Sequence, residues 1–365
     1  MVMKILQITT ISNTINAFLI PHIEALIAQG HEVELACRIE NPLDNRLSHL
    51  KRHDISFQRN PLATDNLQAY FQLKQLFKQT HYDIIHTHTP NASVITRLAA
   101  HHQQSYVVYT AHGFHFYQGA PRINWLAYYN IEKLLAHYTD KIVTINTEDY
   151  QRASHFKLKK HGSVHQIPGI GTDIEVVHQP ELTDTIKQQY QLTPADKVLV
   201  FAAELSKGKN QDMLINVMAQ LVAEGHSNYR LFLLGNGPNE AAYRQRIQEL
   251  NLERNIFLTG LVKDVRPYLD LADVAVSSSL REGLPVNVME ALAYGVPVVI
   301  TKIRGHVDLL QQPNQGLLIT NSQEMVQGIK TILNNPQKYH AELPATFTVN
   351  SSVQAMQKIY AEMGA

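Results

Sequence analysis

A chain of 365 residues, 44% hydrophobic and 18% charged, is long enough to bury two cores of ordinary size and too apolar to stay disordered. Its 32 basic residues match its 32 acidic ones, so no net field favours a nucleic-acid partner. Cys37 is the only cysteine, which excludes a disulfide framework and a cysteine-built zinc site and fits a reducing, cytoplasmic setting.

From the N-terminus, "MVMKILQITT" enters a strand-like run at once, without the apolar core and small-residue cleavage site of a secretory leader. No later apolar run reaches the ~18 residues of a membrane span, so no spanning segment is expected. Further strand-like runs follow, "EVELAC", "DIIHTHT", "YVVYTAH" and "KIVTIN", separated by helical stretches such as "FLIPHIEALIAQG" and "NWLAYYNIEKLLAHY". That alternation predicts βαβ units and a parallel sheet. "IPGIGTDIEVVHQPEL" is rich in Gly and Pro and lacks periodicity, which places a linker around residues 168–182. The alternation then restarts with "KVLVFAAEL", "RLFLLGNG", "NIFLTG", "VAVSSS", "PVVIT" and "GLLIT". Two α/β domains are expected, residues 1–172 and 173–345, with a last helix in 346–365 that crosses back to the first. Ligands of open parallel sheets bind outside the carboxyl ends of the strands, so the loops after these runs, in a cleft between the domains, are the expected binding region.

The stretch "SLREGLPVNVMEALAYGVPVV" puts Glu282 in a loop and Glu290 eight residues later inside a short helix, with Pro285 at its start and Gly295 at its end. A ligand on that helix start reaches both acids and the free backbone N–H groups. "LLGNGPNE" is a strand, a Gly-x-Gly turn and a helix start, where the backbone at Gly237 suits close approach to a ribose or phosphate. The third glycine of a dinucleotide fingerprint is missing, because Glu240 stands there, which argues against a nicotinamide enzyme. "ELSKGKNQD" sets Lys207 and Lys209 between a strand and a helix, where a cation meets a diphosphate.

Of 19 histidines, 15 precede residue 178. "HTHTP" and "TAHGFHFY" place His86, His88, His112 and His115 after apolar strands, suited to acid/base work, metal ligation or buried hydrogen bonding. Zinc is disfavoured, since no HExxH or cysteine partner exists and His86 and His88 are expected on opposite faces of their strand. There is no Asp-x-Asp triplet, Walker loop or Gly-x-Ser-x-Gly elbow, so a diphosphate site is expected to use lysine, backbone N–H groups and the helix dipole without metal or other cofactor.

With these residues in place, "EGLPVNVME" followed by "ALAYGVPVV" resembles the Glu-x7-Glu motif of the GT4-type retaining glycosyltransferases. "LLGNGP", "IFLTGLVKDVRPYLDLADVAVSSS", "IPGIGTD" and "IRGHVDLLQQPNQGLLI" are similar to segments that the family carries in the same order. "TISNTINAFLIPHIEALIAQGHEV" and "YTAHGFHFYQGA" resemble bacterial exopolysaccharide and capsule enzymes of this type.

The resemblance implies a GT-B fold, two Rossmann-like domains whose parallel sheets face each other across a cleft. It also implies transfer of a hexosyl or N-acetylhexosaminyl group from a nucleotide sugar, UDP by family habit, to a polysaccharide or lipid-linked oligosaccharide. Glu290 then matches the ribose-binding acid and Glu282 the acid facing the donor sugar. Gly283 and Leu284 match the backbone facing the diphosphate, Lys209 the phosphate lysine, and Val262 the nucleobase contact. His112 matches the histidine directed at the transferred sugar, and His115, Thr14 and His88 are acceptor-side candidates. Glu204 departs from the pattern, standing where the family often has arginine, and Lys207 is a candidate replacement. Two rival readings share the fold, a nucleotide-sugar 2-epimerase and a non-catalytic binding subunit. A lipid-linked acceptor implies peripheral contact with anionic membrane, for which Lys157, Lys159, Lys160 and the many histidines are the candidate charges.

Overall fold

A computed structural model describes residues 2–173 and 176–364, so two residues of the expected linker, Ile174 and Glu175, lie outside the description. The chain divides into two compact units, residues 1–171 with 346–365, and residues 172–345.

The first unit holds strands β1 (Lys4–Ile11), β2 (Glu32–Arg38), β3 (Arg52–Asp54), β4 (Ile84–Thr87), β5 (Tyr106–Ala111), β6 (Lys141–Thr144) and β7 (Ser163–Gln166). They form one parallel sheet in the order β3-β2-β1-β4-β5-β6-β7. The central strands are largely apolar because helices cover both faces; β4 and β6 are buried along their whole length, their His86, Thr87, Lys141 and Thr144 included. The two strands absent from the sequence reading, β3 and β7, are the sheet edges. Arg-His-Asp and Ser-Val-His-Gln are short and half solvated, so they lack the apolar run that marks a central strand. The last helix, Val349–Ala361, belongs to this unit, capped by Thr348, which accepts from the Ser351 N–H at 3.2 Å. Lys159 pairs with Asp140 at 2.7 Å, so the basic cluster at 157–160 is partly neutralised.

The second unit holds β8 (Lys197–Ala202), β9 (Tyr229–Leu234), β10 (Ile256–Gly260), β11 (Val274–Ser277), β12 (Val298–Thr301) and β13 (Gly316–Ile319) in the parallel order β10-β9-β8-β11-β12-β13. This is the doubly wound order 3-2-1-4-5-6, and the first unit extends the same order by one strand. The winding reverses between β1 and β4 in one unit and between β8 and β11 in the other. Loops leaving those neighbours diverge to opposite faces and open a crevice at the carboxyl edge. No helix among the described residues is long and apolar enough to cross a membrane.

Candidate functional site

In the second unit the loop after β8 carries Lys207 and Lys209, and the loop after β11 carries Glu282. The two loops are stitched together: the Leu280 N–H donates to Gly208 O at 2.9 Å and Ser278 Oγ to Lys209 O at 2.9 Å. Asn210 adopts a left-handed φ of 56° to turn into the helix Gln211–Ala223. Lys209 Nζ thereby reaches Glu282 Oε1 at 2.5 Å, with the carboxylate side chain only 10% exposed. Lys207 is exposed, and so is Glu204, which forms no ion pair with either lysine among the described residues.

Glu282 is followed by the helix Val286–Ala293, with Pro285 at its N-cap. Gly295 (φ 75°) closes the other end: Val296 N–H donates to Ala291 O at 3.0 Å and Gly295 N–H to Leu292 O at 3.1 Å, a Schellman pair. Glu290, one turn from that end, is half-buried, and burial pushes its carboxyl up to about 7, reinforced by the charge of Asp264. Asp264 is gripped by Arg266 and by Gln179 Nε2 at 2.8 Å. Asp264, Arg266, Lys263 and Glu290 line an open cavity of about 520 Å³. A carboxyl so placed gains from two adjacent hydroxyl donors, which favour its charged form more than a single donor does.

Two residues that the sequence reading passed over complete this corner. Arg304 is buried, and its Nε donates to Glu282 O at 2.9 Å. His306 is fully buried; its Nδ1–H donates to Thr301 O at 2.7 Å, which leaves Nε2 as a bare acceptor without a protein partner. Burial pushes this imidazole down to about 4, with the charges of Glu282 and Lys209 acting on it in opposite directions. Gly305 (φ 78°) allows the close approach, because a Cβ there would sit 2.6 Å from Gly283 O. A hint was present in "IRGHVDLL", where a lone glycine precedes a histidine after an apolar strand.

The Gly-x-Gly turn has a structural explanation. A Cβ on Gly235 would lie 2.2 Å from Ala203 O, and one on Gly237 2.4 Å from Leu205 O. These glycines let the ends of β8 and β9 zip together, with Leu205 N–H donating to Asn236 O and Asn239 N–H to Leu205 O. Val262 is partly buried and packs into the apolar cluster of Ile186, Val198, Phe232 and their neighbours. Leu284 is buried, while Gly283 meets Gly305.

In the first unit, the ends of β1 and β4 are joined by Thr10 and Thr89, whose hydroxyls lie 2.7 Å apart. Thr14, on the helix Ser12–Phe18, shares a cavity of about 240 Å³ with Thr10, Arg59, Asn91 and His115. His115 is held between two buried neighbours, Phe114 and Phe116, whose rings stack at 4.6 Å. Its own ring lies against Tyr128 at 4.8 Å.

His88 does not join Thr14 and His115. It is buried in a separate cluster with His22, His86 and His112, around a cavity of about 20 Å³. The expectation that His86 and His88 face apart is wrong: residues two apart on a strand share a face, and their ring centroids are 4.0 Å apart. Tyr360, from the last helix, ties the cluster together. Gln7 Nε2 donates to the Tyr360 oxygen at 2.8 Å, and the phenol donates to His86 Nδ1 at 2.6 Å. His86 Nε2–H then donates to Thr110 Oγ1 at 2.8 Å, and His88 Nε2–H to Gln7 Oε1 at 2.8 Å. This assignment leaves His88 Nδ1 and His112 Nε2 buried without protein partners. Burial holds His22 and His112 down to about 4 and pushes His86 and His88 well below the usual range, so these histidines add no positive charge at mild acidity. Sequence reasoning missed His22, Gln7 and Tyr360, the last lying 353 residues from its partner Gln7. Among the described residues, no three His, Cys, Asp or Glu side chains are placed so that they could hold a metal ion together.

With this geometry described, the similarities to known proteins can be placed on it. Residues 183–345 match the family model of glycosyl transferases group 1, and residues 7–146 match that of the glycosyl transferase 4-like proteins. "Putative glycosyltransferase EpsD" of Bacillus subtilis is 35% identical over 92% of this chain and 89% of its own length. The UDP-Gal:alpha-D-GlcNAc-diphosphoundecaprenol alpha-1,3-galactosyltransferase of Escherichia coli is 25% identical over 81% of this chain and 78% of that protein. Among solved structures, Anabaena HepE in complex with UDP and glucose superposes with a TM-score of 0.76 at 20% identity, covering 99% of each chain. Sucrose-phosphate synthase from Thermosynechococcus elongatus gives 0.78 at 18%, again covering 99% of each. The chain has the GT-B glycosyltransferase fold and belongs to the group 1, GT4-like glycosyltransferases.

Proposed function

We propose that this glycosyltransferase is a retaining, metal-independent enzyme that moves a sugar from a UDP-sugar to a polysaccharide or lipid-linked oligosaccharide. The observation that carries this reading is the Lys209–Glu282 pair at 2.5 Å beside the start of the helix that bears Glu290. In this reading Lys209 and the N–H groups of that helix start meet the diphosphate, Glu282 accepts from the sugar hydroxyls, and Glu290 accepts from both ribose hydroxyls. Support for UDP comes from HepE, solved with UDP and glucose, and for a lipid-linked acceptor from the Escherichia coli relative named above.

The chemistry asks little covalent work of the protein. The bond from the anomeric carbon to the β-phosphate oxygen breaks with its electron pair going to the phosphate. The acceptor oxygen bonds to the same face, and its proton passes to the departing β-phosphate. Stabilising the growing diphosphate charge is the main task, which suits a lysine and a helix N-terminus and needs no enzymic nucleophile. Lys209 is shared with Glu282 until the donor sugar gives that carboxylate other partners. In this reading the first unit supplies the acceptor side, with Thr14 and His115 as its acceptor contacts.

Screening nucleotide sugars for stabilisation of the folded protein, followed by product analysis on membrane-lipid extracts, tests the reading. UDP and one UDP-sugar should raise the melting temperature without added divalent metal, and the transferred sugar should keep its α configuration. An epimerised free nucleotide sugar, or binding without turnover, would replace it.

A further inference from the structure

Two cavities of the first unit adjoin, since Pro61, Pro90, Asn91, His115 and Tyr128 line both. One carries the hydroxyls of Thr10, Thr14 and Thr89 and the guanidinium of Arg59 in its wall. Arg59 has no acidic partner among the described residues. The other, of about 300 Å³, is walled mainly by Leu62, Val94, Ile95, Phe114, Phe116 and Ile131. Leu62 and Ile131 also face solvent, at 89% and 40% exposure.

Ile131 belongs to a continuous helical run, Arg122–Leu135, interrupted by one wide turn at Trp125–Tyr129. Ile123, Leu126 and Leu134 on the same run are 65%, 70% and 60% exposed. Their spacing with Ile131 is three, five, three, and the wide turn takes up the extra residue so that all four share one side. Trp125 and Tyr129 point the other way, onto Phe116 at 5.7 and 5.3 Å, which fixes the face that is left outside. The exposed charges on this run are Arg122 and Lys133, both cationic. Its one acid, Glu132, is buried against Arg97 at 2.7 Å.

We propose that the paired cavities bind a membrane-resident lipid phosphate, the carrier end of the acceptor. Its phosphate sits by Arg59 among the threonines, its hydrocarbon chain fills the apolar chamber, and the chain leaves past Leu62 and Ile131 where the Ile123–Leu134 stripe rests on the bilayer. A bare oligosaccharide suits the chamber poorly, because most of its wall is apolar and hydroxyls placed there lose water for few partners. A second copy of this chain does not suit the stripe, since Arg122 and Lys133 would meet their like. An anionic lipid surface is complementary to both. The proposal rests on the first unit being the acceptor side, but it is read by binding alone.

The test is calorimetry on the full chain with three probes: farnesyl diphosphate, inorganic diphosphate and farnesol. Farnesyl diphosphate should bind at least about ten-fold more tightly than either fragment, as expected when a buried chain and a paired phosphate act together. Arg59→Ala should remove its advantage over farnesol, and Ile131→Asp its advantage over inorganic diphosphate. Leu126→Ser with Leu134→Ser should cut sedimentation with phosphatidylglycerol-rich vesicles several-fold. UDP affinity should stay unchanged in every variant, which separates this result from the donor assignment. Equal affinity for farnesyl diphosphate and inorganic diphosphate overturns the proposal. So does unaltered farnesyl diphosphate binding in both single variants, or a stripe that mediates self-association and leaves vesicles unbound.

Discussion

Lowering the pH from 7 to 4.5 should open the first unit while the second stays closed. His22 and His112 titrate in the folded protein at about 4, and His86 and His88 well below 6.5, whereas all four titrate near 6.5 once unfolded. The unfolded chain therefore binds more protons below pH 6.5. The stability that these neutral imidazoles contribute is complete above that value and is lost as pH falls toward 4. At pH 4, two histidines shifted by about 2.5 units each cost about 3 kcal/mol apiece at 1.36 kcal/mol per unit. Their sum, about 6 kcal/mol, is already the size of a typical domain stability. In the second unit, His306 loses stability in the same window, but Glu290 has the opposite sign. Its carboxyl is raised to about 7, so its contribution is complete below about 4.5 and is lost as pH rises through 7, and the two nearly cancel. Native-state hydrogen exchange read by peptide distinguishes the units: opening free energy for β1 and β4 should fall steeply between pH 6.5 and 4.5 while β8 and β11 hold. Replacing His112 with Gln should lower the slope for the first unit by about one proton, or about 1.4 kcal/mol per pH unit. Unchanged protection of β1 and β4 across this range would refute the assignment of four neutral, buried histidines.

Glu290→Gln should weaken UDP binding by about 1.5 to 3 kcal/mol by calorimetry at pH 8, because charge-assisted bonds to the ribose are lost, and the difference from the parent should shrink below pH 7 as Glu290 itself protonates. Lys209→Met should destabilise the ligand-free protein by about 1 to 3 kcal/mol, since Glu282 loses its cation, and adding Glu282→Gln should recover most of it in thermal denaturation. No recovery would argue against the pair. Gly237→Ala should cost about 2 kcal/mol or more, as its Cβ would meet Leu205 backbone at 2.4 Å, while Gly208→Ala, with Ser206 Oγ 4.0 Å away, should stay within about 0.5 kcal/mol. Tyr360→Phe should cost about 1 to 3 kcal/mol and alter the His86 tautomer seen by imidazole ¹⁵N NMR, because the phenol both donates to His86 and accepts from Gln7.

Much of the geometry around Glu282 and Glu290 is local in sequence, and that is why its local structure was legible. Glu282, Pro285, Glu290 and Gly295 sit on one loop and one two-turn helix, so their order along the chain nearly dictates their order in space. The central strands announced themselves by mainly apolar runs, since a strand covered on both faces has little contact with water. Edge strands β3 and β7 escaped because half of their surface faces water. Other features were decided by chain reversal alone. Lys209 meets Glu282 because β8 and β11 are neighbours where the winding changes direction, although 73 residues separate the two side chains. Arg304 and His306 enter the same corner from the loop after β12. Whether a histidine is a surface charge or a neutral buried base depends on what packs over it, and nothing around "HTHTP" reveals that Tyr360, 274 residues beyond His86, closes that cluster. Sequence thus determined the central elements and the residues whose spacing is shorter than a helix, through periodicity and turn chemistry. Tertiary structure decided the pairings, burial and protonation, because desolvation and hydrogen bonding depend on neighbours in space.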